Sequence, residues 1–437
     1  MLQKLDEAIT RLFNCEGVSG AFNYKKSKER CRSFQEYLES LLDDYKRTFE
    51  ETGWDFGQID LNNNFTNAYR ETVISVIDNL NKGIKSSIRS YLNGHPSEAY
   101  THFSRMMESE IGTQSPTEKT DDIQIMVCEQ PSGQFRLLAN SDDSNEVFLK
   151  TESIGALFER VSIRPESGLF RVRLSENKHE IKEREDIFHV PFQHRHTVKT
   201  ARYSIPGFPC LYLGGSLYAC WEEMQRPCLD SVFLSLFKIK KDVKIFAVSF
   251  LSPSDVKSHL LRCANNNDAP NTSVLSQIAY FLSRWPLDLA CSIPRKNENA
   301  PFHPEYIIPQ LLLQWVIKTQ KHDALCFRSV QICDNGSMSN WPRYLNYVFH
   351  PKETSGEEYS SHLKSIFEFT EPISWELIPK GGTSWIMDEV AESVSHVKGG
   401  MAITLCKNPH ERYIDTDFGQ AERYVSDEKR FRLEKLS

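Results

Sequence analysis

The sequence predicts an α+β protein, with a helical N-terminal domain followed by a mixed α/β domain. Three observations predict it. The first hundred or so residues space their apolar side chains at i, i+3/i+4 and i+7, the mark of amphipathic helices. The middle of the chain breaks into short apolar and aromatic runs bounded by Gly, Pro, Asn and Ser, which read as strands and turns. Further amphipathic helices fall between those runs, so helix and strand alternate there.

Taken in order, Ser33–Phe49 carries the stripe Phe34, Tyr37, Leu38, Leu41, Leu42 and Tyr45. Thr66–Leu92 repeats it with Tyr69, Val73, Val76, Ile77, Leu80, Ile84 and Ile88. Asn93-Gly94-His95-Pro96-Ser97 stops that helix and starts a third over Glu98–Ile111. Arg89 and His95, six apart, resemble the Arg-x(4–6)-His element of HEPN ribonucleases. Gly94 and Pro96 interrupt the helix between them, which favours a solvated helix end. Residues 112–122 read as a linker. Strands are expected within 123–128, 135–139 and 147–149, with a hairpin turn at 130–133 and a helix over 153–161. Gly168–Arg173 opens a second set of strands, which continues at 231–239, 243–250, 323–330 and 343–349. Helices are expected at 254–263, 273–283, 303–316 and 388–397, and a charged, exposed helix or tail at 418–436. The division this implies is 1–115, 116–164, 165–380 and 381–437.

Composition sets the class. The 437 residues suffice for two or three domains, and 40% hydrophobic content with 26 Phe and 16 Tyr indicates a packed globular chain. Lys and Arg number 52 against 59 Asp and Glu, net −7 and interspersed, which argues against nucleic-acid binding. Eleven cysteines lack any Cys-x-x-Cys pair or Cys/His cluster, so reduced, packed thiols and no metal are expected. The start, Met-Leu-Gln-Lys-Leu-Asp-Glu-Ala, lacks the apolar core of a signal peptide. No apolar run nears the ~20 residues of a membrane span. A cytoplasmic location and no membrane partner are expected.

Residues 201–224 concentrate the chemistry. Arg202 is followed by a Pro206–Gly207 turn, and Pro209 leads into the strand Cys210-Leu211-Tyr212-Leu213. Gly214-Gly215 break the strand, and Ser216 is a candidate N-cap for a helix reaching Met224. A cation, a phenol (Tyr212) and a carboxylate (Glu222 or Glu223) are thereby placed at a turn, a strand and a helix. His189, His194 and His196 lie together in a loop, but without the spacing of a metal site.

This stretch resembles the central motif of the RES-domain proteins, NAD-degrading enzymes that often form the toxin half of bacterial toxin–antitoxin pairs. The resemblance rests on Arg202-Tyr203, Pro206-Gly207-Phe208-Pro209, Leu211-Tyr212-Leu213 and Cys220-Trp221-Glu222-Glu223-Met224. It extends to Phe170-Arg171, to the helix Tyr306-Ile307-Ile308-Pro309-Gln310-Leu311-Leu312, to Ser329 after Cys326-Phe327-Arg328, and to Asn346-Tyr347-Val348-Phe349. Thr200-Ala201 stand where paired glycines often precede the family arginine. The resemblance covers about 165–380 and implies a fold related to the ADP-ribosyltransferases. The helical N-terminal region resembles the one found on longer RES proteins.

What the resemblance implies is cleavage of the nicotinamide–ribose bond of NAD, by a NAD phosphorylase or glycohydrolase. NAD is then a substrate, inorganic phosphate a candidate co-substrate, and no cofactor is needed. Glu223 would stabilise the oxocarbenium-like ribose, with Glu222 as its adjacent alternate. Arg202 and Arg171 would bind phosphates, Tyr212 would position the nicotinamide riboside, and Ser329 would complete the pocket. Tyr203 and Arg173 are neighbouring alternates. A growth-arresting toxin implies an antitoxin or immunity protein as partner, and self-association stays open. Two other readings keep the fold: a mono-ADP-ribosyltransferase acting on a protein, and a non-catalytic NAD-binding regulatory module.

Overall fold

The computed structural model describes residues 33–52, 63–109, 123–125, 137–138, 161–163, 168–175, 181–248, 272–297, 299–332, 343–352, 356–378, 402–405, 408–413 and 416–436. The expected linker at 112–122, the turn at 130–133, the strand at 147–149 and the helices at 254–263 and 388–397 lie outside these residues. So does all but the last residue of the helix expected at 153–161.

The N-terminal helices form where the apolar stripes lie. They are α1 (Phe34–Thr52), α2 (Asn63–Leu92) and α3 (Pro96–Met107). Gly94, at φ 86°, ends α2, and Pro96 opens α3, where its missing N–H costs no hydrogen bond. Leu38, Leu42, Tyr45, Val76, Leu80 and Ile84 are all buried. Their core does not stop at the helical region. The Tyr45 hydroxyl donates to the Leu282 carbonyl at 2.7 Å, and these helices share one hydrophobic cluster with the central strands.

Among the described residues, eleven strands form one mixed sheet. In chain order they are β1 (Ile123–Ile125), β2 (Leu137–Leu138), β3 (Val161–Ile163), β4 (Gly168–Leu174), β5 (Leu211–Gly214), β6 (Val232–Ile239), β7 (Val243–Ala247), β8 (Ala324–Arg328), β9 (Leu345–Phe349), β10 (Phe367–Phe369) and β11 (Ile373–Ser374). The order across the sheet is β10-β6-β4-β5-β9-β8-β7-β3-β1-β2, and β11 also pairs with β6. β7 with β8 and β1 with β3 run parallel, and the remaining pairs run antiparallel. Helix and sheet therefore combine as α+β. β8 and β9 are buried along their whole length, as befits strands covered on both faces.

Between strands come α4 (Arg184–Ile187), α5 (Leu217–Glu223), α6 (Thr272–Ser292), α7 (Ile307–Thr319) and α8 (Ser361–Ile366). A separate hairpin joins β12 (Ala402–Leu405) to β13 (Asn408–Arg412), and α9 (Asp417–Val425) follows.

The C-terminal segment corrects an expectation. Charge density suggested an exposed helix or tail over 418–436, yet Ala421, Glu422, Val425 and Leu436 are buried. Phe418 packs against Tyr218, Trp221 and Trp375 at 5.3–5.6 Å between ring centroids. Phe369 and Glu434 exchange backbone hydrogen bonds. Ala421 and Val425 join Phe170, Val232, Leu234 and Leu236 of the sheet in one apolar cluster, which docks α9.

Candidate active site

The strand–turn–helix unit around Arg202 forms as its sequence predicts. Phe208 N–H donates to the Ile205 carbonyl at 2.9 Å, and Gly207 sits at φ 73°, a type II position that glycine tolerates. β5 follows, and the Ser216 hydroxyl accepts the Ala219 N–H at 3.0 Å, capping α5. A Cβ on Gly214 would lie 2.5 Å from Cys220 Sγ. A side chain there would have to displace Cys220, so glycine lets the helix fold back closely onto its own strand.

β9 lies against β5 with Asn346 opposite Gly214, and β8 lies against β9 with Phe327 opposite Asn346. Ser329 follows β8, its N–H held by the Tyr344 carbonyl at 2.8 Å. Three segments distant in sequence thus meet at the end of α5. There the Ser329 hydroxyl donates to Glu223 Oε1 at 2.5 Å, and Asn346 Nδ2 donates to the same oxygen at 3.0 Å. Glu223 Oε2 receives no hydrogen bond from any described residue. Burial raises the Glu223 pKa above the usual carboxylate range; the Ser329 hydrogen bond, the Arg202 charge, the Asn346 hydrogen bond and the Arg295 charge pull it back.

Arg202 is buried, its Nη1 donating to the Cys291 carbonyl at 3.2 Å and its guanidinium 5.1 Å from the Tyr306 ring centroid. The loop before it is pinned. Ser204 Oγ accepts the Ala201 N–H at 2.8 Å and donates to the Ala201 carbonyl at 2.9 Å, which Gln310 also reaches at 3.2 Å. Side chains thereby hold the Thr200-Ala201 loop.

Both tyrosines are held by contacts within the fold. Tyr212 Oη donates to the Tyr203 carbonyl at 2.8 Å, so the phenol braces the Arg202 loop. The Tyr203 ring is buried 4.2 Å from Phe327. Burial pushes both phenols well above their usual range. Arg171, on β4, donates through Nη1 to the Tyr212 carbonyl at 3.2 Å, and its Nε is buried without a hydrogen-bond partner. Burial and the neighbouring Arg173 lower its pKa to about 9, which leaves it cationic at neutral pH.

The adjacent alternates separate cleanly. Glu222 is buried on another face of α5 and pairs with Arg226 Nε at 2.8 Å. Arg173 donates to the Asp186 carbonyl. Glu223, Ser329 and Arg202 come together, Tyr212 and Tyr203 support the loop of Arg202, and Arg171 lies behind Tyr212.

Sequence reasoning missed Asn346, Arg295, His303 and Tyr306 as site residues. Asn346 had a readable signal, a lone amide in the apolar run Leu345–Phe349, where a buried polar group needs a partner. The His303 and Tyr306 rings lie 4.9 Å apart. The Arg295 charge acts on Glu223, His303 and Tyr306, yet nothing in its local sequence marks it.

Two other expectations find structural uses. Arg89 pairs with Glu39 through Nε at 2.9 Å and Nη2 at 2.8 Å, and His95 is exposed at the start of α3, a solvated helix end. His189 is buried: Nδ1 faces the Val190 carbonyl at 2.8 Å, and Nε2 accepts the Ser360 N–H at 2.9 Å. That tautomer is neutral, and burial lowers its pKa to about 4. Among the described residues, no group of three His, Cys, Asp or Glu is placed to hold a metal ion, and no helix is long and apolar enough to cross a membrane.

The chain is similar to a Bacillus subtilis (strain 168) protein named "Putative toxin YopC", with 30% identity over 312 residues, covering 71% of this chain and 61% of that protein. It therefore spans less than two thirds of that relative's length. No protein-family model matches the chain, and no solved structure matches it significantly.

Proposed function

We propose that the chain is a RES-type, NAD-consuming enzyme that cleaves the nicotinamide–ribose bond and acts as a growth-arresting toxin. The observation that carries this reading is the Glu223 carboxylate, held through Oε1 by Ser329 and Asn346 with Oε2 left open. The chemistry matches. Nicotinamide in NAD is a cation, so it departs with the bonding electron pair as a neutral molecule and needs no proton from an acid. What the reaction needs is a carboxylate beside the ribosyl oxocarbenium. Inorganic phosphate or water then attacks the anomeric carbon.

Arg202 uses one N–H on Cys291, and its charge already acts on Glu223. A phosphate bound there sits beside the reacting ribose. The buried, unpartnered Nε of Arg171 is a second donor available to a ligand or a water. Similarity to a protein named as a toxin supports the biological role, and a toxin calls for a neutralising antitoxin or immunity protein.

The test is NAD loss with purified full-length protein, with and without inorganic phosphate, beside Arg202→Ala and Glu223→Ala. The expected result is NAD consumption by the parent and none by either folded variant, with phosphate dependence naming the acceptor. Transfer of labelled ADP-ribose to protein would replace the phosphorylase with a mono-ADP-ribosyltransferase. Binding of NAD without turnover would reduce the domain to a regulatory module.

A further inference from the structure

We infer that Glu422, from the C-terminal helix α9, is a positioning residue for Glu223; the inference rests on the catalytic reading of Glu223 above. Glu422 is buried, and its Oε1 accepts the Leu217 N–H at 2.7 Å, the first amide of α5. The same oxygen accepts the Tyr413 hydroxyl at 2.5 Å, and Oε2 pairs with Arg343 Nη1 at 3.3 Å.

These partners connect both sides of the active carboxylate. Leu217 begins the seven-residue helix that ends in Glu223. Arg343 lies just ahead of β9, which carries Asn346, the donor to Glu223. The Arg343 carbonyl accepts the Ser216 hydroxyl at 2.6 Å, and its guanidinium lies 4.2 Å from the Tyr413 ring centroid. One carboxylate, 205 residues after Leu217 in sequence, therefore ties the start of α5 to the approach of β9.

A short helix has few hydrogen bonds of its own and takes its orientation from its ends. Phe418, one turn earlier on α9, packs on Tyr218 and Trp221 and blocks rotation of α5 about the cap. Without Glu422 the Leu217 amide loses its acceptor and the bond from Arg343 to α9 is lost. The Glu223–Asn346 geometry then loosens, though neither Glu422 nor its partners need touch substrate.

The experiment compares parent, Glu422→Ala, Glu422→Gln and Tyr413→Phe as full-length proteins. It measures kcat and KM for NAD together with amide hydrogen exchange. Glu422→Ala is expected to lower kcat roughly tenfold to a hundredfold, the scale of a small misplacement of a reacting group, with KM for NAD little changed. Exchange over 217–224 is expected to speed up while that of β6 stays as in the parent. Glu422→Gln keeps an acceptor for Leu217 and is expected to recover much of the kcat. Tyr413→Phe gives the same pattern at lower amplitude, and serves if Glu422→Ala does not fold. A Glu422→Ala protein with parental kcat overturns the inference, as does a fall in kcat with unchanged protection over 217–224. If the parent leaves NAD intact, the functional reading fails, and the exchange comparison still decides whether Glu422 holds α5.

Discussion

Two carboxylates flank the short helix α5, the buried Glu422 and the half-buried Glu223, and they differ in what their oxygens do. Glu422 has both oxygens engaged, by the Leu217 amide, the Tyr413 hydroxyl and Arg343. Glu223 receives both of its hydrogen bonds on Oε1, and no described residue occupies Oε2. Burial raises both pKa values. A saturated buried carboxylate is a structural tie, because every desolvated lone pair has found a donor. Glu223 is half-buried, desolvated enough for its pKa to rise yet with one oxygen no described residue occupies, and such perturbed groups are where ligand chemistry is to be sought.

The largest effect should come from removing the open carboxylate. Glu223→Gln is expected to lower NAD turnover by about a thousandfold, the scale of losing a preorganised electrostatic stabiliser, measured as initial rates. Its folded-state pKa is raised, so the ionised group costs stability above that pKa, and the cost disappears as pH falls through it. Thermal denaturation at neutral pH should therefore show Glu223→Gln no less stable than the parent. A large drop in its melting temperature would make Glu223 a structural tie like Glu422.

Arg202→Lys is next. It keeps the charge and loses the planar fork, and kcat/KM is expected to fall ~10- to 100-fold, the equivalent of one or two charge-assisted hydrogen bonds. Asn346→Ala should cost about tenfold and also move the pH profile. Burial raises the Glu223 pKa, so the acid limb of the parent is expected above the usual carboxylate range. Losing the Asn346 donor raises it further, so the limb should shift to higher pH. A rate that falls with no shift would place Asn346 on the substrate instead.

Two smaller effects lie away from the site. Neutral, buried His189 contributes stability that is present above its ordinary pKa of 6.5 and is lost as pH falls toward about 4. The stability of His189→Gln, measured by denaturant titration, should be flatter over that window. Arg89→Ala breaks a half-exposed pair with Glu39. It should cost no more than about 1 kcal/mol and leave NAD turnover unchanged, whereas loss of turnover in the folded variant would give this helix end a part in the site.

Much of the fold was legible because it is local. The stripes at 34–45 and 73–88 are periodic, the Pro206–Gly207 turn demands a positive φ, and Ser216 is a strong cap, so each could be read within a dozen residues. The site was legible in part. The resemblance to the RES-domain motif singled out Arg202, Glu223 and Ser329. Glu223 was the preferred carboxylate with neighbouring Glu222 as its alternate, and the turn of the helix sends Glu222 to Arg226 and Glu223 to Ser329. The phenol of Tyr212 was visible, but its bond to the Tyr203 carbonyl was not, because that contact depends on how a loop folds over a strand.

The sequence by itself determined the α+β class, the strand–turn–helix unit and the candidate chemical groups, since these follow from periodicity, backbone preference and side-chain type. Only the tertiary structure decided which groups meet. Strand order brings Asn346 beside Gly214 and Ser329 to Glu223, and docking of α9 buries a charged segment that composition marks as exposed. Burial and long-range pairing depend on the whole chain at once, and no local stretch of residues encodes them.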